Sequence, residues 1–199
     1  MPRRPTRTAP TVLLPGMNGS GPEHWQTWLA GQLRHAGREV RFPSLPSSGC
    51  PELTEWSIAL DEALEGLPDD GFDVIAHSLG AVLWLHHASV AAFHGGRPRP
   101  ARVALVALPA PNQLPPDAAS FGPVPLDIDA TRRTAGGTVL VGGDNDPYCP
   151  GGIARAYGAP LKMATTIIGG GGHLNPESGF GPWPAVLDWC GRDNLAFIA

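Results

Sequence analysis

Residues 74–81 read Val74-Ile75-Ala76-His77-Ser78-Leu79-Gly80-Ala81, and this stretch decides the fold. An apolar run enters a small–His–Ser–x–Gly turn and leaves as a helix-forming segment. A strand that turns sharply into a helix lifts the serine hydroxyl above the end of the strand, the arrangement of a nucleophile elbow. Residues two before and two after the serine must be small, because strand and helix cross closely there. Ala76 and Gly80 meet that demand, and Ala76 departs from a strict Gly-x-Ser-x-Gly pattern by one methyl. A serine that opens a helix is also an ordinary N-cap, so a structural reading stands beside the nucleophilic one.

Outward from this turn, apolar runs at 11–14, 40–42, 72–76, 102–108, 138–141 and 165–168 are rich in Val, Ile and Leu. Continuous rather than alternating apolar runs are expected of strands buried on both faces, as in a parallel sheet. Between them, 23–36, 52–67, 78–93, 151–157 and 183–190 read as helices. In 52–67, Leu53, Trp56, Leu60, Leu64 and Leu67 share one stripe, with Asp61, Glu62 and Glu65 off it. This alternation predicts an α/β domain with a mostly parallel, doubly wound sheet. Two segments break the rhythm. The Pro-rich stretch 109–137 shows no strong periodicity and reads as an irregular loop, too short for a separate lid domain. Residues 1–10, polar and Pro-rich, read as a loose tail before a single domain over 11–199.

Composition excludes several classes. The 199 residues suit one domain. Glycine (26) and proline (23) are abundant, but a 42% apolar content with six Trp and a net charge of −4 argue for an ordered core. A pI near 5.9 with 14 Lys and Arg carries no nucleic-acid footprint. No apolar run is long enough to span a bilayer. The apolar stretch behind Arg3, Arg4 and Arg7 is only Val12-Leu13-Leu14, too short for a signal peptide, so a cytoplasmic location is expected. Cys50, Cys149 and Cys190 are odd in number and lack metal-site spacing, which predicts free thiols and no metal.

Ligands of such sheets sit beyond the C-terminal strand ends, and three further junctions there carry chemistry. The run 139–148 ends in Gly142-Gly143-Asp144-Asn145-Asp146-Pro147-Tyr148, offering a carboxylate to orient a histidine; Asp146 leads and Asp144 is the runner-up. The run 167–175 ends in four glycines and His173. Ser78, Asp146 and His173 thus each follow a separate strand, in the chain order of α/β-hydrolase triads. The first strand runs into Pro15-Gly16-Met17-Asn18-Gly19-Ser20-Gly21. An acyl-transfer site needs two backbone N–H groups aimed at a developing oxyanion. Leu79 supplies one, and this loop supplies the other from Met17 or its neighbour Asn18. Its Gly-x-x-Gly-x-Gly order is not the dinucleotide fingerprint, and no Walker lysine is present. His24, Trp25 and Trp28 either line the pocket beside this loop or pack the first helix. His86 and His87 point to different helix faces and read as structural.

The chain resembles the small serine hydrolases of the YdeN and retinoblastoma-binding-protein-9 type, a lidless branch of the α/β-hydrolase superfamily. The matching stretches are 15–28, 74–81, 121–125, 142–150 and 171–184. The resemblance implies Ser78 as nucleophile, His173 as base and Asp146 as acid, in an α/β-hydrolase fold without a lid. The resulting expectation is a three-layer sandwich around a six-stranded parallel sheet of order 2-1-3-4-5-6. Its activity would be cofactor-free hydrolysis of a small-molecule acyl ester, with Met17 and Leu79 as the oxyanion hole and Asn18, His24 and Trp25 at the pocket. An open site without a lid favours short acyl groups. A thioesterase or peptidase would use the same triad. A protein-binding module with little turnover is the alternative from another class, and a protein partner is not legible.

Overall fold

The computed structural model describes residues 7–95 and 98–197. Among them, six parallel strands form one sheet in the order β2-β1-β3-β4-β5-β6. The strands are β1 (Thr11–Leu14), β2 (Val40–Arg41), β3 (Asp73–His77), β4 (Arg102–Val106), β5 (Thr138–Gly143) and β6 (Ala164–Ile168). The expected strand order and the fold are therefore found. Helices α1 (Trp25–His35), α2 (Leu53–Leu64), α3 (Leu79–Ala91), α4 (Ile128–Arg133), α5 (Ala159–Leu161) and α6 (Pro184–Cys190) cover both faces.

The period of two along each strand divides the core in two. Val12, Leu14, Val74, Ala76, Val103 and Leu105 face a layer containing Trp56 and Leu60 of α2 and Val82 and Leu85 of α3. Leu13, Ile75, Ala104 and Val106 face the opposite layer, with Leu29 and Leu33 of α1 and Val186 and Trp189 of α6. Every residue of β1, β3 and β4 is buried, as continuous apolar runs demand. β6 differs. Like β2 it lies at an edge of the sheet, and its Ile167 is 44% exposed.

Three expectations need correction. Residues 1–6 of the expected tail lie outside the described residues, but residues 7–10 are not loose. Arg7 Nε and Nη2 each donate to the Asp73 carboxylate at 3.1 Å, and the Pro10 carbonyl accepts from the Asp73 amide. A buried carboxylate at the head of β3 demands cationic partners, and the chain ahead of β1 supplies one. Second, the stretch 109–137 is not wholly irregular. It holds a 3₁₀ turn (Pro116–Phe121) and α4, whose N-cap Asp127 accepts from the Ala130 amide at 2.8 Å. Third, the helix expected over 151–157 is a π-helical turn (Ala154–Gly158) leading into α5. Pro160 has no N–H to close the regular ladder there.

Candidate active site

β3 and α3 meet at Ser78, whose φ of 52° and ψ of −122° lie outside the ordinary regions for a side-chain-bearing residue. The turn closes tightly. Ser78 N–H donates to Val106 on β4, and the Ser78 carbonyl accepts from Ala81 and Val82. A Cβ at Gly80 would collide with the carbonyl oxygens of Leu14 and Pro15, so only glycine fits at that crossing. The hydroxyl of Ser78 makes no helix cap. Instead its Oγ lies 2.9 Å from His173 Nε2. The N-cap reading of this serine is thereby corrected.

His173 Nδ1 lies 3.0 and 2.9 Å from the two carboxylate oxygens of Asp146. A carboxylate only accepts, so Nδ1 carries the hydrogen. In the neutral ring Nε2 is then the acceptor facing the Ser78 hydroxyl. Asp146 and His173 are 4% and 7% exposed, which lets this short charge-assisted bond act at low dielectric. The arrangement can take a proton from Ser78 and hold the imidazolium that results.

Two of the four glycines ahead of His173 are held by the acidic turn. Gly170 N–H donates to Asp144 Oδ1 at 2.8 Å, and Gly172 N–H donates to Asn145 Oδ1 at 2.7 Å. His173 N–H donates to Ser178 Oγ at 3.1 Å. Asp144 therefore holds the loop, and Asp146 is the carboxylate on the histidine. Gly172, at φ 53°, leaves no room for a Cβ beside Ser178.

The loop after β1 passes directly over the serine. A Cβ at Gly16 would sit 2.8 Å from Ser78 Cβ and 3.4 Å from its Oγ. Of the two amides considered from this loop, Asn18 N–H is committed to the Ser48 carbonyl at 2.8 Å. Met17 N–H and Leu79 N–H have no hydrogen-bond acceptor among the described residues; Leu79 follows the serine directly, and Met17 follows Gly16, which lies against it. Gln26 braces this loop. Its Nε2 donates to the Leu14 carbonyl at 2.9 Å, and its Oε1 accepts from Ser20 Oγ at 2.7 Å.

Two of the expected pocket residues are corrected. Trp25 is fully buried. Its indole donates to the Leu174 carbonyl at 2.8 Å and packs edge-on against Trp183. His24 is the N-cap of α1, accepting from Gln26 N–H through Nδ1 at 3.1 Å, and is 5% exposed. Burial, and secondarily the proximity of His173, lower the pKa of His24 to about 4 against an opposing pull from Glu177. Asn18 is the exposed member of the three. Trp28 packs half-buried against the core, and His86 bonds the Phe121 carbonyl, a structural role.

Two neighbours of the triad were not anticipated. His77 donates from Nε2 to the His173 carbonyl at 3.0 Å, and full burial holds its pKa well below the ordinary histidine value. Tyr148 packs its ring on His173 at 4.5 Å between centroids. Both lie inside stretches singled out in the sequence, but neither position was assigned a role of its own. Cys149 is buried, and burial followed by the charge of Asp146 raises its thiol pKa, which disfavours a thiolate. Among the described residues, no group of three His, Cys, Asp or Glu is arranged to hold a metal ion, and no helix is long and apolar enough to cross a membrane.

The family description "Serine hydrolase" matches residues 11–191. The chain belongs to the serine hydrolase family. Solved structures place this serine hydrolase within the α/β-hydrolase fold. The YdeN gene product of Bacillus subtilis aligns with TM-score 0.73 and 19% identity, covering 92% of this chain and 96% of that one. A YdeN-like hydrolase from Pectobacterium atrosepticum aligns with TM-score 0.73 and 24% identity, over 91% and 88%. A monoacylglycerol lipase from Paleococcus ferrophilus aligns with TM-score 0.63 and 15% identity, over 94% and 95%. These matches bear on the YdeN side of the resemblance and not on its retinoblastoma-binding-protein-9 side. No curated protein sequence matches this hydrolase.

Proposed function

We propose that this hydrolase cleaves small esters by acyl transfer through Ser78. His173 takes the Ser78 proton as Oγ attacks the substrate carbonyl, and Met17 and Leu79 amides hold the oxyanion. Asp146 keeps His173 in the productive tautomer and stabilises its charged form. Collapse of the tetrahedral intermediate leaves an acyl-serine, which water then releases by the reverse proton path. The single observation that supports this most is the Ser78 Oγ to His173 Nε2 distance of 2.9 Å, from a serine held at φ 52°. A serine serving only as a cap has no reason to adopt that backbone or to face a buried His–Asp pair. The absence of a separate lid domain between β4 and β5 supports short acyl groups over long lipid chains.

Incubation with a fluorophosphonate, followed by intact mass measurement, tests the reading. One adduct is expected on the wild type and none on Ser78→Ala. No adduct on a folded wild type overturns it and returns the chain to a binding scaffold. Best turnover on long-chain esters, in a series at fixed leaving group, overturns the short-acyl preference.

A further inference from the structure

Tyr148 joins the Ser–His–Asp chain to solvent: it contacts His173 and is itself half exposed. Its backbone is fixed at both ends. The amide donates to Asp146 Oδ1 at 2.9 Å, and the carbonyl accepts from Ala110 N–H at 2.8 Å. The turn that aims the carboxylate at His173 therefore also sets the direction of the tyrosine. The ring lies 4.5 Å from the His173 ring, inclined at 57°. Yet 51% of Tyr148 is exposed, whereas Trp25, Trp56, Trp84, Trp189, Tyr157 and Phe121 are fully buried. One side of the ring rests on the histidine, and much of the remainder is open to solvent.

The chemistry at His173 says what belongs there. In acylation the Ser78 Oγ–carbon bond forms and the carbon–oxygen bond to the departing alcohol breaks. The proton that His173 Nε2 took from Ser78 passes to the leaving oxygen. The leaving group must therefore touch His173, and a half-open aromatic ring lies 4.5 Å from that imidazole. An aromatic ring pairs best with another flat apolar group, adding roughly 2- to 12-fold beyond simple burial, the equivalent of about 0.5–1.5 kcal/mol.

We propose that Tyr148 is the leaving-group platform of this enzyme, and that its substrates are esters whose departing alcohol is aromatic. This rests on the Ser78 reading above. The specificity sits on the alcohol side and comes from the ring face, not from the phenol oxygen.

The test compares benzyl butyrate with ethyl butyrate, using the full chain as wild type, Tyr148→Phe and Tyr148→Ala. Their leaving alcohols differ in flat apolar surface, and comparing each variant with wild type cancels the intrinsic reactivity of each ester. The benzyl-to-ethyl ratio of kcat/KM is expected to fall about ten-fold in Tyr148→Ala and to be retained in Tyr148→Phe. Tyr148→Leu, which keeps apolar bulk but not the flat face, is measured as well, so that a poorly folded Tyr148→Ala leaves the question decidable; its ratio falls too. An unchanged ratio in a folded Ala or Leu variant overturns the proposal. So does an equal loss on both esters, which would make Tyr148 only a support for the Asp146 turn. Failure of the Ser78 reading looks different, because the folded wild type would then take no fluorophosphonate adduct and cleave neither ester.

Discussion

His77 Nε2 lies 3.0 Å from the carbonyl oxygen of His173, so the residue immediately before the serine holds the backbone of the residue facing it. The two rings are also in contact, 5.1 Å between centroids. The bond ties the end of β3 to the glycine loop, next to the 2.9 Å serine–histidine contact. A carbonyl only accepts, so His77 carries a hydrogen on Nε2, and burial keeps the ring neutral.

His77→Leu removes that donor and strands a buried carbonyl. A displacement of about 1 Å at a reacting group costs about 10²-fold, so kcat is expected to fall by that order while KM changes little. His77→Gln, which returns an N–H donor at similar reach, should recover most of the loss. Equal stability losses in both variants with kcat intact would assign His77 to packing alone. Steady-state kinetics beside thermal melts separate the two.

Asp146→Asn should lower turnover by on the order of 10⁴, because an amide favours the wrong histidine tautomer. Asp144→Asn should cost far less, since an amide oxygen can still accept from Gly170 N–H. If Asp144→Asn proves the more damaging, the acid has been misassigned. Pre-steady-state acylation rates on the two variants decide it.

Burial, ahead of the other influences, lowers the His24 pKa from the ordinary 6.5 to about 4. Its folded pKa is depressed, so its contribution to stability is fully present above pH 6.5 and is lost as pH falls toward 4. His77, displaced in the same direction, adds to this acid lability. His24→Asn keeps an N-cap acceptor for Gln26 N–H and removes the titrating ring. Denaturation midpoints measured from pH 7 to pH 4 should drop less steeply in this variant than in the wild type. Parallel curves would rule out His24 as a contributor.

At the opposite end of the sheet, Asp73 is fully buried between Arg102, at 2.6 Å, and Arg7, at 3.1 Å, with Arg38 at 3.9 Å. Arg102 also donates to the carbonyls of Trp189, Arg192 and Asn194, and Arg38 to those of Ala9 and Cys190. This one carboxylate therefore ties the segment before β1 and the end of the chain to the sheet. Asp73→Asn leaves buried guanidinium groups uncompensated, which costs about 3–5 kcal/mol. The loss should appear in chemical denaturation, with fluorophosphonate labelling of the folded fraction unchanged.

The strands and most helices were legible because their signals are local. Continuous apolar runs mark inner parallel strands, and the stripe of Trp56, Leu60 and Leu64 marks α2. The short α4 was missed, since six residues among prolines carry too little period to detect. The site was legible in its motif residues and not in their neighbours. Trp25 and His24 looked like pocket walls from their place beside the Gly16 loop. Their burial depends on Trp183, Leu174 and His77, residues far away along the chain.

By itself the sequence determined the α/β class, the serine turn and the three residues that follow separate strands. Each of these follows from turn chemistry and apolar period within a dozen residues. Only the tertiary structure decided which carboxylate meets the histidine, which amide of the Gly16 loop remains free, and that Tyr148 and His77 flank His173. The physical reason is distance along the chain. Ser78 and His173 are 95 residues apart and Asp146 and His173 are 27 apart. Local preferences do not reach that far. Packing of the sheet brings these groups together, and hydrogen-bond satisfaction in a buried site then selects among the neighbours it has assembled.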